Sequence, residues 1–326
     1  MNWGCMRIQV RCPNPECGGL SEGGKAAYIK KGYYKPKHSK HKIPRYQCKV
    51  CLKSFSARTG HPLEGSRRPD LDEKVFELFC EGVTQRGIAR LLGCNRGTVC
   101  GKIRNLSKRV PSLQRKLLSL SRSDVKIFQY DELETYHKTK LKPVSISIAI
   151  EPKTRVLVGL FAEQMPCKGK LQKISNEIYG KFKDLRDNAR EKTLQNMKLT
   201  AITGKVHTDG ATVLRKFFKN QTTFDHIPHK RRYHLKHKMD DYKPEINLRK
   251  EKYPLYGEGN PLWFVDFICA KLRARIAVLA RRTWTTSKGI SEIQDCLNLF
   301  LAYHNKLPVF KRYLDVHDFI GQISPK

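Results

Sequence analysis

Acidic side chains are scarce in this chain. Thirty Asp and Glu face 64 Lys and Arg, a formal net charge of +34 over 326 residues. A surplus of that size repels itself in the compact state and is ordinarily neutralised by a polyanion. Long apolar runs are lacking as well. None approaches the roughly 18 residues of a membrane span, which leaves a membrane outside the expected partners. The first residues, Met1 to Cys5, lack the basic-then-apolar order of a signal peptide. Wholesale disorder is excluded by what is present: 39% of residues are hydrophobic and 9% aromatic. The length suits two or three domains of roughly 100–200 residues. The expectation is a soluble, cytoplasmic protein that faces nucleic acid.

Eleven cysteines, an odd number without an export signal, point to reduced thiols rather than a disulfide framework. Cys12 and Cys17 enclose four residues, Cys48 and Cys51 enclose two, and 30 residues separate the pairs. Each pair can offer two thiolates from a tight turn, and together they predict a closed, tetrahedral zinc site. The alternative is four unpaired thiols. About 60 residues with few aliphatics cannot hold a fold by burial alone, so the metal would supply the missing folding energy. Residues 1–62 are therefore read as a zinc-ribbon-like DNA-binding domain, with a hairpin over 45–55. The run 30–42 is basic with aromatic punctuation, as phosphate contact requires. His38 and His41 lie in that run as further ligand candidates, more simply read as a solvated charge run. Cys5, Cys80, Cys167 and Cys296 have no partner at ligand spacing and read as small buried hydrophobes.

Residues 63–123 read as linkers around a three-helix unit. Leu71, Val75, Leu78 and Phe79 recur at helical spacing. Thr84 can cap a second helix that Gly93 ends, and Asn95 can cap a third carrying Val99, Ile103 and Leu106. Ala89, Gly93 and Val99 follow the order of helix-turn-helix modules: a small residue at the helix crossing, glycine in the turn and a β-branched residue facing inward. On that reading Arg96 and Thr98 face base edges, while Lys102 and Arg104 face phosphate. A generic three-helix packing unit is the plainer alternative. Cys94 and Cys100 suit packing better than metal.

From residue 124 the pattern turns to β. Residues 125–131, 144–150 and 155–161 predict three strands of a meander. Next come a basic helical stretch at 169–188, a strand at 199–207, a helix through Val213 and Phe218, and helices at 262–282 and 287–304. Residues 227–253 are strongly basic, and the histidine-rich run from His229 to Lys238 within them reads as phosphate contact. Asp131 closes the first strand and Asp209 the later one. Asp266 lies in the first turns of a helix, off its apolar stripe and in line with small residues. Each has a bland reading: a solvated acid beside Glu132 and Glu134, a turn residue before Gly210, and one half of a surface ion pair.

Two strand-end aspartates and a third acid on a late basic helix resemble the DDE transposases, whose catalytic core has the RNase H fold. The segment from Asp266 to Thr283, and on to Lys288, is similar to the acid-bearing helix of the bacterial insertion-sequence-one transposases. In that family the acid is Glu, and here it is Asp. The zinc knuckles and helix-turn-helix match the same family's DNA-binding half, so the likeness runs from about Cys12 to His304. It implies a mixed α/β chain with an RNase H-like catalytic domain at 124–306 and a tail at 307–326. It also implies Mg²⁺ (or Mn²⁺), with Asp131 bridging two ions, Asp209 holding one and Asp266 the other. Two such ions provide an in-line nucleophile, neutralised charge and a stabilised leaving oxygen. The implied partner is double-stranded DNA, both element ends and target, engaged by a homo-oligomer at a prokaryotic nucleoid. The rival reading is a non-catalytic DNA-binding protein on a decayed scaffold. A nuclease of the same fold would lack a sequence-reading module.

Overall fold

The computed structural model describes residues 12–14, 16–17, 27–35, 42–59, 64, 66–229, 260–280, 287 and 289–311. The chain forms two compact units, one built on Met1–Val75 and the other on Phe76–Val309. It is a mixed α/β protein. No helix among the described residues is long and apolar enough to cross a membrane.

The first unit is an antiparallel sheet in the order β1 (Tyr28–Tyr34), β2 (Ile43–Cys48) and β3 (Ser54–Ser56). Its core is small. Cys48 and Phe55 are buried, with Tyr28 and Tyr46 packed against them. The Tyr28 and Tyr46 rings meet edge-on at 5.0 Å, and Tyr46 lies 5.7 Å from Phe55.

The second unit begins within α1 (Asp72–Cys80) and continues through α2 (Gln85–Leu91), α3 (Arg96–Ser107) and α4 (Val110–Leu120). Local chemistry sets these boundaries. The Thr84 hydroxyl accepts from the Gly87 N–H at 3.1 Å, and the Asn95 side chain accepts from the Gly97 N–H at 2.7 Å. Each cap satisfies an orphan donor at a helix start. Gly93, at φ +58°, closes α2, and the Cys94 N–H reaches back to the Ala89 carbonyl.

These helices share one unit with the large sheet. α3 and α4 pack on the last helix, α9 (Ile290–His304), and α4 also packs on α6 (Arg186–Thr200). The large sheet has the order β6-β5-β4-β7-β8. β4 (Ser123–Tyr136), β5 (Pro143–Glu151) and β6 (Val156–Gln164) form the antiparallel meander. β7 (Ala201–Thr208) adds parallel to β4, and β8 (Phe224–Pro228) adds parallel to β7. A parallel neighbour requires a crossover, supplied by α5 (Leu171–Tyr179) with α6, and by α7 (Thr212–Lys219).

One face of β4 carries Tyr130 and Glu132. The Tyr130 hydroxyl bonds Ser147, Ser147 bonds Thr193 of α6, and Glu132 holds buried Arg190 at 2.6 Å. The edge of β6 is closed by side chains. Gln294 accepts from the Ala162 N–H and donates to the Leu160 carbonyl, while Asn305 does the same for both polar groups of Leu157. An unpaired strand edge is thereby denied to other chains.

Several sequence expectations move. The first strand of the meander extends to Tyr136, so Asp131 lies inside it rather than at its end. The helical stretch at 169–188 resolves into two helices, because Gly180 at φ +75° ends the first. α8 (Trp263–Arg275) stops short of residue 282 and gives way to a 3₁₀ turn at Ala277–Leu279. α4 and β8 were not foreseen.

Candidate functional site

Two clusters stand out, one in each unit. In the first, the Cys12, Cys17, Cys48 and Cys51 sulfurs all lie within 4.8 Å of one another. Cys12 and Cys51 approach to 3.5 Å, and Cys17 and Cys48 to 3.6 Å. Four thiolates about 2.3 Å from one tetrahedral ion stand roughly 3.8 Å apart, so the set fits a metal such as zinc. The second knuckle is built for thiolates. A backbone hydrogen bond from Lys53 pushes the Cys51 thiol down to about 6, and one from Cys51 lowers Cys48. Burial pushes Cys17 up to about 12, and its hydrogen bonds with Cys51, Cys48 and Cys12 act in the same direction. His38 and His41 lie outside the described residues.

The second cluster sits at the C-terminal ends of β4's parallel segment and β7. The last paired residues there are Gln129 and His207. Two residues beyond that last pair stand Asp131, still within β4 and on the face of Gln129 by strand alternation, and Asp209, the first residue after β7. α8 starts over this face: the Val265 N–H donates to the Gln129 side-chain oxygen at 3.0 Å. Asp266 is the next residue. One turn on, the buried Cys269 thiol is held protonated first by burial and then by the charges of Asp131 and Asp266.

Each carboxylate also has a local bond. Asp131 Oδ1 accepts from the Glu132 N–H at 2.8 Å, Asp209 Oδ1 from the Ala211 N–H at 3.0 Å, and Asp266 Oδ2 from Asn260 at 2.8 Å. Asp209 is buried, Asp131 half-buried and Asp266 exposed. As a set, the three do not close within 4.8 Å of one another. Among the described residues only the four cysteines gather so tightly.

Sequence reasoning gave Gln129 no role and left His207, beside Asp209, without an acid–base assignment. Gln129 is fully buried, and its Nε2 has no hydrogen-bond partner among the described residues, so an oxygen placed there would satisfy it. His207 Nδ1 and His229 Nε2 lie 2.9 Å apart with their rings stacked. Burial, with His229 and Lys205 nearby, pushes the His207 imidazole down to about 4, so it is neutral near pH 7. A signal for Gln129 did exist: it stands two residues before Asp131 on a strand, hence on the same face. The basic run beyond His229, Trp284, and the stretch from Thr283 to Thr286 lie outside the described residues. Trp263 is half-buried and stacks on exposed Phe267 at 5.4 Å.

On α3, Arg96 and Arg104 are exposed and Thr98 is half-buried. Lys102 is a correction. At 5% exposure it belongs to the buried face with Val99, Ile103 and Leu106, not to an outward phosphate-binding face.

No protein-family model matches this chain, and no curated protein matches it in sequence.

Proposed function

We propose that the protein is a DNA transposase of the DDE type, with an RNase H-like core that cleaves element ends and joins them to target DNA. One observation carries the reading: the parallel pairing of β4 with β7 ends at Gln129 and His207, two residues before Asp131 and Asp209, and Gln129 bonds the start of Asp266's helix. Carboxyl ends of parallel strands are where open α/β sheets receive ligands. The order β6-β5-β4-β7-β8, a three-stranded meander followed by two parallel strands, supports the RNase H-like assignment.

In this reading Asp131, Asp209 and Asp266 would hold two Mg²⁺ ions, hard cations that take carboxylate oxygens. When bound, the ions neutralise phosphodiester charge and promote ionisation of a water. The protein's own groups do the rest. Gln129 fixes the entry of α8 and so the reach of Asp266. Water opens the phosphodiester at the element end, and the freed 3′-hydroxyl then attacks a target phosphodiester, which breaks to release a target 3′-hydroxyl. No side chain serves as a covalent nucleophile. Arg96 and Thr98 contact base edges on duplex DNA, Arg104 contacts phosphate, and a zinc ion in the four-cysteine site holds the first unit.

A second reading has its own support. Asp266 is exposed and bonded to Asn260, and the three carboxylates stand apart as a set. That arrangement suits a sequence-specific DNA-binding protein without catalysis. A Mg²⁺-dependent nicking assay on DNA flanking the gene separates the two. Asp131→Ala and Asp209→Ala should each abolish nicking and leave duplex binding within about twofold of the unaltered chain, since a phosphate-contact surface remains. Absence of nicking by the unaltered chain, with tight specific binding, would favour the binder.

A further inference from the structure

The outer strand of the first unit has a surface that a phosphate-binding role does not explain. Among the described residues β1 pairs with β2 alone, and every residue from Ile29 to Tyr34 is exposed. Within those six positions Ile29 is 40% exposed, Tyr33 54% and Tyr34 37%. These three side chains fall within six residues of one edge strand, Tyr33 on one face and Ile29 with Tyr34 on the other. Lys30, Lys31 and Lys35 lie among these residues, so the partner is anionic.

A bulge arranges the strip. Lys30 opposes Tyr46 and Tyr33 opposes Pro44, so one extra residue is inserted between them, at Gly32 with φ +83°. Without it, Lys30 and Tyr33 would point to opposite faces. With it they share a face. The Lys30 ammonium lies 4.3 Å from the Tyr33 ring centroid and bonds the Tyr33 hydroxyl. A cation thus steadies one side of the ring. Tyr34, next along the strand, falls on the other face.

Phosphates call for charge and have no use for rings. Paired bases hide their flat faces within the duplex stack and present only edges to a protein. Exposed tyrosines beside lysines match unpaired bases, whose π-faces stack on aromatic side chains while the backbone follows positive charge. We propose that β1 is a stacking strip for single-stranded DNA, Tyr33 and Tyr34 receiving bases while Lys30 and Lys31 meet phosphates. This rests on, and deepens, the DNA-processing reading by naming the form of substrate held. It does not depend on catalysis.

The test is fluorescence anisotropy of the full chain, without Mg²⁺, on labelled oligothymidylate, oligouridylate and duplex DNA. About 0.3 M salt weakens purely phosphate-driven binding. Tyr33→Leu keeps apolar bulk and loses the ring, so it should weaken oligothymidylate binding roughly tenfold. Tyr33→Phe should stay within about twofold, and duplex affinity should be unchanged by either. Tyr34→Leu repeats the test on the opposite face, and metal content per chain checks that each variant keeps the four-cysteine site. Unaltered oligothymidylate binding in both leucine variants would overturn the proposal. So would an equal loss on duplex, or tighter binding of oligouridylate than of oligothymidylate. A chain that never nicks DNA can still pass this test, so its outcome is separate from that of the transposase reading.

Discussion

Lys102 shows how one position on a helix decides what a charge can touch. It stands three residues after Val99 and four before Leu106, both buried, so a 3.6-residue period carries it onto the same stripe. Arg104 is two residues further round and exposed. If α3 meets duplex DNA, Arg104→Ala should lower the slope of log affinity against log salt by about 0.9, the share of one phosphate. Lys102→Met should leave that slope where it was. Salt titrations of both variants check this, and equal losses would return Lys102 to the phosphate-facing side. The caps at Thr84 and Asn95 were legible in the sequence because a cap is a local affair of four residues. The side of Lys102 was equally local, but its charge drew it to the outer face against its spacing. Asp131 was misplaced for another reason. The strand runs on through Glu132 and Glu134, whose polarity imitates a strand end, while Leu133 and the β5 partners keep it extended.

Among the elements, the sheet against α6 is the most tightly specified contact. A methyl group on Gly159 would lie 2.5 Å from Thr193 Cγ2 and 2.9 Å from its hydroxyl. That hydroxyl is committed to Ser147 and the Ala189 carbonyl, so it has little freedom to withdraw. Gly159→Ala should therefore destabilise the second unit by about 1–3 kcal/mol, the usual cost of overpacking. Adding Thr193→Ser removes Cγ2, keeps the hydroxyl and should recover part of the loss. Urea unfolding midpoints of the two variants decide it, and a neutral Gly159→Ala would show that α6 can slide. The meander was readable because its strands alternate and its turns are short. β8 was not: five residues hold their place by parallel pairing with β7 and by Phe224 packing edge-on against Phe128 at 5.5 Å, contacts far away in sequence. The same holds for the carboxylate cluster. Asp131 and Asp209 could be suspected singly, but the pairing of β4 with β7 just before them is a property of strand order, and the Gln129 bond to Val265 spans 136 residues.

For the whole molecule, the division into two units carries an energetic consequence. Ordering the 16 residues of β1, β2 and β3 costs on the order of 16 kcal/mol at about 1 kcal/mol per residue. Burying Cys48 and Phe55 returns only about 4 kcal/mol. A structural zinc ion at the four cysteines would supply about 10–16 kcal/mol and close the gap, so the first unit should stand or fall with a bound metal. The second unit has an extensive core of its own, from Phe128 and Tyr130 to Leu297 and Phe300. A chelator such as 1,10-phenanthroline, or Cys48→Ser, should abolish the first unit's unfolding transition in calorimetry and leave the second unit's midpoint within about 2 °C, less than a 1 kcal/mol change would move it. A common shift of both transitions would mean that the units fold as one. If the first unit binds DNA, independent folding would let it lose DNA without disturbing the large sheet, so metal removal should weaken DNA binding while the Gln129–Val265 contact persists.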